Sequence, residues 1–572
     1  MSSNIRGTGA GNKSEMATRL SFLSGTSQPK DLEDGGGYVG AKTPEQSGHS
    51  DEGALRPGGD PVMTSRANIG LLYQYAVVGL ISGVLPSTIY PFMQVYLNSS
   101  GAKVATATAL VSLPTSFKVF FGILSDCFPI FGYRRRPYMV IGWTIAVAML
   151  LVMACLPVGE PYYTVSSDRD VDPSDYTAEI EARINYSAPS EGGRYVMLMF
   201  FTAVGYVLSD ACADAMMAGL AQQESYARRG KLQIMTYTVQ TFVIMLGYLL
   251  VGFCFNGEEY GGDFDYSLSF PEMMTILTVL TAPTIPITWF FIKEERLTSA
   301  PDFRVYMLQL WNQICRRGVF QVIAALFFYN LVTYITYTAY SPIQSYMVNV
   351  TPINSTLGDT LSYLCYTIGM MATSKWGLHW NWRWMIVIAG IFLIVIDGVS
   401  NFITVWDVYR SQWFWLGPPI AAQLPNGIGF MISSLVIIEL ISDGNEGAMY
   451  GLMTTLSGIA SPFATSLTLI IDNPFNITNE RVQEDDYSIR MDISYTMIIA
   501  YCATATSWIF LLLLPPQKRQ TQELLRTGGS SKLLGGLTVF YLTFSLIWSV
   551  MVNIMAIFDS TSCLVIAGGD GC

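Results

Sequence analysis

Apolar runs of about 20 residues recur along almost the whole chain, and each is long enough to cross a bilayer about 30 Å thick. Of the 572 residues, 51% are hydrophobic and 13% are charged, whereas a soluble domain has about 25% charged residues. The sequence therefore predicts an all-α integral membrane protein. Its thirteen apolar spans lie at 68–92, 104–124, 137–157, 195–221, 232–255, 271–292, 318–347, 358–376, 384–404, 412–438, 448–471, 493–514 and 534–557.

The longest cytosolic connection follows the sixth span, which suggests two six-helix halves and one extra C-terminal helix. The N-terminal residues are rich in Gly, Ser and acidic side chains and have no apolar periodicity, as is typical of a disordered tail. The predicted organisation is a disordered cytosolic tail at 1–65, a six-helix half at 66–292, a cytosolic linker at 293–317, a second six-helix half at 318–515, and a final segment at 516–572 with a cytosolic stretch, an extra transmembrane helix at 534–557 and an external tail.

Basic residues are concentrated in the loops on the same side as the N-terminus, which predicts a cytosolic N-terminus. Five acceptor sequences for N-glycosylation lie in the opposite loops, at Asn98, Asn185, Asn349, Asn354 and Asn476. The same topology places Cys563 and Cys572 outside, where one disulfide could form. We expect the plasma membrane to be the location, with a plastid or other organelle membrane as the alternative.

Four charged residues lie inside apolar spans, where a charge costs at least ~2.5–3.5 kcal/mol and therefore indicates function. They are Lys118 in the second span, Asp210 and Asp214 in the fourth, and Asp397 in the ninth. Asp210 and Asp214 are four residues apart, so they share one helix face about 6 Å apart along the axis. Two carboxylates this close are unlikely to ionise together in a low dielectric, so the pair is a candidate proton-binding site.

Residue counting from the cytosolic helix ends places Lys118 and Asp214 at similar depths. We therefore expect these two to form an ion pair that leaves Asp210 free to bind a proton or substrate. A permanently paired structural cluster is the alternative. Asp397 is a candidate substrate contact or a cap for a local bend.

A candidate gate follows the second span, in the stretch KVFFGILSDCFPIFGYRRRPY at 118–138. Glycines allow the chain to turn, and arginines can pair with acids of neighbouring helix ends when the cytosolic side is closed. The alternative is that the arginines only determine topology. The predicted gating residues are Gly122, Asp126, Gly132, Arg134, Arg135 and Arg136, with Arg383 in the corresponding loop of the second half.

Other functional classes lack support in the sequence. The net charge of −11 argues against a nucleic-acid partner, and two histidines are too few for a histidine-based metal site. Walker and common hydrolase motifs are missing, so we expect no enzyme activity and no cofactor. The prediction is a monomeric carrier of a small molecule in the lipid bilayer.

The charged stretch resembles the signature of the folate–biopterin transporter family, within the major facilitator superfamily. The matching residues are Lys118, Gly122, Ser125, Asp126, Pro129, Gly132, Arg134, Arg135, Pro137, Tyr138, Asp210, Ala213, Asp214, Ala215, Gly230, Leu232 and Gln233. The chain departs from the family pattern at Val119, where proline is usual, and at Gly219, where glutamate is usual.

This resemblance implies two six-helix halves that alternate access to a central site, and a folate or pterin as the substrate. We expect secondary active transport coupled to protons. The alternatives are a carrier of another small solute such as S-adenosylmethionine, or a non-transporting membrane sensor built on a carrier scaffold.

Overall fold

The computed structural model describes residues 53–65, 68–99, 101–171, 176–260, 262, 264–299, 301–350, 352–442, 444–477, 479–555, 561 and 564. Residues 1–52 of the predicted tail, and both Cys563 and Cys572, lie outside these ranges. Within them the regular secondary structure is helical, and strand pairing is limited to isolated bridges.

Fifteen helices build this part of the chain. They are α1 Ile69–Tyr96, α2 Ala107–Cys127, α3 Arg136–Cys155, α4 Ala188–Ala221, α5 Lys231–Cys254, α6 Phe270–Phe291, α7 Phe303–Ile314, α8 Arg317–Thr333, α9 Pro352–Trp376, α10 Trp382–Val405, α11 Gln412–Leu440, α12 Glu446–Phe475, α13 Tyr487–Leu512, α14 Lys518–Thr527 and α15 Lys532–Val552. Short helical segments lie at Ser166–Asp170, Ala178–Glu181, Glu258–Tyr260, Tyr340–Pro342, Ile343–Met347, Gly377–His379 and Asn479–Glu484.

Eleven helices of the described residues are long and apolar enough to cross a membrane, namely α1 to α6, α10 to α13 and α15. Helix α8 is apolar but shorter, and α9 is a 25-residue helix of lower hydropathy. The predicted all-α membrane fold is confirmed. Its division into six, six and one helices remains a prediction.

The predicted seventh span, 318–347, is broken after α8. Non-helical backbone at membrane depth needs other hydrogen-bond partners. Two side chains of α12 supply them: Thr468 Oγ1 accepts the Thr336 N–H at 3.1 Å, and Asp472 Oδ2 accepts the Thr338 N–H at 2.7 Å. Helix α12 thus holds the interrupted segment in place.

The first half packs against the second where α2 and α4 contact α12 and where α5 packs along α9. The α2–α12 contact depends on glycine. A Cβ atom on Gly122 would lie well inside the van der Waals radius of the Gly447 carbonyl oxygen, and one on Gly451 would lie 2.8 Å from the Lys118 oxygen. The two backbones are therefore closer than side chains would allow.

The predicted extra helix corresponds to α15, which packs on the second half. Phe544 contacts Phe463 of α12 with ring centroids 6.0 Å apart, and Tyr541 contacts Phe327 of α8 at 5.0 Å. Helix α15 also contacts the N-terminal part of α2. It therefore borders both halves along the α2–α12 seam.

Residues 53–65 belong to the predicted disordered tail, but they pack on the membrane face that carries Arg134, Arg135 and Arg136, here termed the arginine-rich face. The backbone N–H groups of Leu55 and Arg56 donate to the Gln222 carbonyl at 3.0 and 3.1 Å. A segment that has no apolar periodicity of its own thus makes contacts with a distant loop, and the disorder of the tail as a whole remains a prediction.

Replacing Gly122 by Val should force α2 and α12 apart, since overpacking of this kind costs about 1–3 kcal/mol. We expect the arginine-rich face to open more often. A cysteine introduced at Ala448, which is fully buried in the first turn of α12, should then react faster with a polar thiol reagent, as measured by mass spectrometry of the modified peptide.

Gly193→Val provides the matched control, because a Cβ atom at Gly193 meets no other atom within 4 Å. Equal modification rates in the two valine variants would contradict the role assigned to the glycine seam.

Candidate functional site

Lys118 of α2 faces two aspartates of α4. Its Nζ pairs closely with Asp210 Oδ2 and lies 3.3 Å from Asp214 Oδ2. The lysine side chain is 16% exposed, whereas those of Asp210 and Asp214 are 6% and 2% exposed. One buried cation is thus shared between two buried carboxylates.

This geometry corrects the expected pairing, in which Lys118 bound Asp214 and left Asp210 free. Depth along the bundle does not select one of the two aspartates, because they lie about one turn apart on α4 and the lysine side chain reaches both. Asp210 Oδ1 is nevertheless buried without a hydrogen-bond partner among the described residues.

Tyrosines connect the ion cluster to the second half. Asp214 Oδ1 accepts a hydrogen bond from Tyr75 at 2.8 Å and lies 3.4 Å from the Tyr237 hydroxyl. Tyr237 is 2.7 Å from the hydroxyl of Tyr450 on α12, which also accepts from Gln233 Nε2 at 2.9 Å. Sequence reasoning missed this chain of hydroxyls, and its only signal was polar side chains within apolar spans.

A cavity of about 630 Å³ lies beside Lys118, and most of its wall comes from the second half. The rings of Tyr237, Tyr366 and Phe430 lie together in this wall. The ring centroid of Phe430 is 5.6 Å from that of Tyr237 and 5.9 Å from that of Tyr366. The aromatic lining can stack against a flat ring. A cavity of this size is in the range that holds a drug-sized ligand.

Asp397 of α10 lines the same cavity. Its Oδ2 accepts hydrogen bonds from Asn401 Nδ2 and from the Tyr501 hydroxyl, both at 2.8 Å, and Asn401 also donates to Tyr337 at 2.8 Å. All of these partners are neutral. The structure therefore brings the predicted residues Lys118 and Asp397 to one cavity, although they lie in different halves.

The predicted gate is centred on Asp126, which is fully buried at the end of α2. Its carboxylate pairs with the Arg135 guanidinium, accepts the Tyr306 hydroxyl at 2.7 Å and accepts the Ala448 N–H at 2.9 Å. Because Ala448 is in the first turn of α12, Asp126 caps that helix and stabilises its positive end. Tyr306 belongs to α7, so one carboxylate joins both halves and the linker between them.

Glu446, the first residue of α12, completes this contact. Its carboxylate lies 3.1 Å from Arg56, 3.4 Å from Arg134 and 3.5 Å from Arg135. Arg134 and Arg135 precede α3, whereas Arg56 comes from the N-terminal segment. The chain before α1 therefore takes part in closing the arginine-rich face.

The linker also orders the arginine loop. Glu294 accepts the backbone N–H groups of Arg134, Arg135 and Arg136 at 2.8, 2.9 and 2.9 Å, and so caps the start of α3. Sequence reasoning did not single out Glu294. Its role depends on the chain folding back between residues that are about 160 positions apart.

Some predicted gating residues do not reach the opposite half in the described contacts. Arg136 stacks on Trp289 of α6 at 5.0 Å, and Arg383 donates to the Leu514 carbonyl within the second half. Gly132 has φ +81° and forms the turn before α3. The predicted residues that do contact α12 or the loop before it are Gly122, Asp126, Arg134 and Arg135.

A second contact between the halves was missed. Arg229, after α4, pairs with Glu439 at the end of α11 at 2.7 Å, and both side chains are at most 2% exposed. Helix α14 reinforces the pair: Gln522 donates to Glu439 Oε2 at 2.7 Å, and Lys518 donates to the Arg229 carbonyl at 2.6 Å. Burial lowers the pKa of Lys518 to about 8.

Glu224 lies in the same loop and accepts the N–H groups of Gly230 and Leu232 at 2.7 and 3.0 Å, at the start of α5. Burial raises the pKa of Glu224 from 4.5 to about 7. Because the folded state favours the protonated acid, ionisation destabilises it. This destabilisation is absent below pH 4.5 and grows until the pH passes about 7.

We expect Glu224→Gln to remove this contribution. The melting temperature of the variant minus that of wild type should increase as the pH is raised from 5 to 8. Both melting temperatures are measured by thermal unfolding in detergent. Glu523→Gln, on the exposed side of α14, is the control and should show no such trend. A pH-independent difference for Glu224→Gln would refute this reasoning.

The predicted glycosylation sites lie at helix ends opposite the arginine-rich face, by the order of the helices. Asn98 and Asn476 are in left-handed turns with φ +48°, and the side chains of Asn185 and Asn354 donate to Glu160 and Gln412. Asn349 lies just before α9. Their modification remains a prediction.

Comparison with known proteins adds evidence on relatives. Residues 79–166 match the BT1 family. The folate-biopterin transporter of Synechocystis sp. is 20% identical over 466 residues, covering 80% of this chain and 83% of that protein. Folate transporter 1 of Plasmodium falciparum is 18% identical over 433 residues, covering 74% of each chain.

Solved structures show the fold. The major facilitator superfamily proton:xylose symporter XylE, bound to 6-bromo-6-deoxy-D-glucose, aligns with a TM-score of 0.51 and 11% identity, covering 82% of this chain and 98% of that chain. The arrangement of helices is therefore that of the major facilitator superfamily.

Proposed function

We propose that the chain is a member of the folate–biopterin transporter family within the major facilitator superfamily, and that it moves a folate or pterin-type solute by proton-coupled secondary active transport. Its relatives and its fold support the same function, that of a multi-pass membrane carrier without enzyme activity. The single observation that carries the proton coupling is the buried cluster in which Lys118 contacts both Asp210 and Asp214.

The charges of this cluster do not balance when both carboxylates are ionised. One lysine faces two aspartates, and buried charges are stable only when they are paired and hydrogen-bonded. A proton on Asp210 would bring the cluster to neutrality. Its Oδ1 atom, which has no partner among the described residues, is the acceptor that the geometry offers.

Contacts between the halves support alternating access. The described conformation is closed at the arginine-rich face by the Asp126 and Glu446 contacts and by the Arg229–Glu439 pair. The Tyr237–Tyr450 hydrogen bond links the ion cluster to α12, which also forms the gate. Protonation of the cluster would therefore act on the helix whose movement opens the cytosolic side.

We also propose in which membrane the protein lies and how it is oriented there. We assign the arginine-rich face to the cytosol, and the five glycosylation candidates to the outside of a plasma membrane. The carrier would function as a monomer, since each half contributes residues to a cavity within one chain.

Asp210→Asn tests proton coupling. The amide keeps the shape of the side chain but cannot exchange a proton, so we expect solute uptake to lose its dependence on external pH. The measurement is the initial uptake of labelled biopterin and folic acid at pH 5.5 and 7.5, in a host that lacks transport of both.

Asp359→Asn makes the same change on the exposed side of α9 and should retain the wild-type pH dependence. If Asp210→Asn also kept that dependence, Asp210 would have no part in coupling. If wild type accumulated neither solute, the assigned substrate class would be wrong.

A further inference from the structure

We infer that the cavity selects its solute by charge, and that Asp397 makes it accept a neutral or cationic amino-substituted heterocycle while rejecting a dicarboxylate such as folate. This inference rests on the proposed transport function and narrows its substrate class. The relevant observations are the charges in the cavity wall, their partners and the shape of the lining.

Lys118 is the only cation among the described residues that line the cavity. It is already engaged by Asp210 and Asp214, which together outnumber it in charge. A solute carboxylate at this lysine would have to displace a buried aspartate or approach it closely. The one cation in the wall is therefore not available to neutralise an anionic solute.

Asp397 is the one acidic residue among the described residues that line the cavity. Its hydrogen-bond partners Asn401 and Tyr501 are uncharged, so its charge is not balanced by a cation in the described part of the chain. A carboxylate in this position attracts N–H donors and cations, and it repels anions. Because Lys118 is already paired with the aspartates of α4, Asp397 leaves the described cavity wall with one negative charge that no cation balances.

The rest of the lining fits a flat heterocycle. Aromatic rings of Tyr237, Tyr366 and Phe430 offer stacking faces, and the amides of Gln423 and Asn426 also lie in the wall. An amino-substituted ring presents an edge of N–H donors that matches the Asp397 carboxylate.

The size of the cavity does not distinguish a pterin from a folate. A cavity of about 630 Å³ is ample for a bicyclic pterin and also within the range for larger ligands. Charge therefore decides between a pterin, which has no carboxylate, and a folate, which carries two. Burying two carboxylates without cations is the obstacle to folate.

The test compares initial uptake of labelled biopterin and labelled folic acid by wild type, Asp397→Asn and Asp359→Asn at one external pH. Wild type should take up biopterin at least about tenfold faster than folic acid, a ratio that corresponds to a modest difference in binding. Asparagine can still accept the Tyr501 hydrogen bond, so Asp397→Asn removes the charge while preserving the shape.

We expect the biopterin-to-folic-acid uptake ratio to fall several-fold in Asp397→Asn and to remain unchanged in Asp359→Asn, which alters an exposed carboxylate outside the cavity wall. Each rate is normalised to the amount of carrier at the membrane. The ratio is independent of expression, and a purely structural role of Asp397 would lower both rates together.

Three outcomes would overturn the inference. Folic acid uptake by wild type that equals or exceeds biopterin uptake would refute charge selection while leaving transport itself intact. An unchanged ratio in Asp397→Asn would remove Asp397 from that selection. Uptake of neither solute by wild type would refute the proposed function, and charge selection with it.

Discussion

One face of α2 carries the interactions on which the rest of the structure depends. Lys118, Gly122 and Asp126 recur every four residues and so lie above one another on the same side of the helix. Lys118 holds the carboxylates of α4, Gly122 admits the backbone of α12, and Asp126 caps that helix. Any movement of α2 relative to α12 must therefore change the helix contact and the gate together.

The lipid environment explains why polar groups occur in such clusters. A bilayer offers no water to an exposed backbone or a lone charge, so each must find a partner within the protein. Thr468 and Asp472 of α12 accept hydrogen bonds from backbone N–H groups in the break after α8. Asp126 accepts a backbone N–H at the start of α12 itself. Asp397 differs, because its described hydrogen-bond partners are neutral.

Sequence reasoning identified the charged residues of the site but not their arrangement. Lys118, Asp210 and Asp214 were predictable because charges within apolar spans are rare. The additional contact with Asp210 was not, since the lysine side chain reaches two carboxylates one helical turn apart and depth alone selects neither. Arg229 and Glu439 were missed because each lies at a helix end, where a charge is ordinary, and 210 positions separate them in the chain.

The sequence by itself determined that the chain is a bundle of membrane helices, which loops carry the basic residues, and which charges lie inside the spans. These properties follow from local composition, because the length and polarity of a segment decide whether it enters the bilayer. Only the tertiary structure decided that Asp210 contacts Lys118, that Glu446 meets three arginines, and that Asp397 shares a cavity with the lysine. Such partnerships depend on how helices rotate and pack against one another, and that is determined by the fit of many side chains from distant parts of the chain.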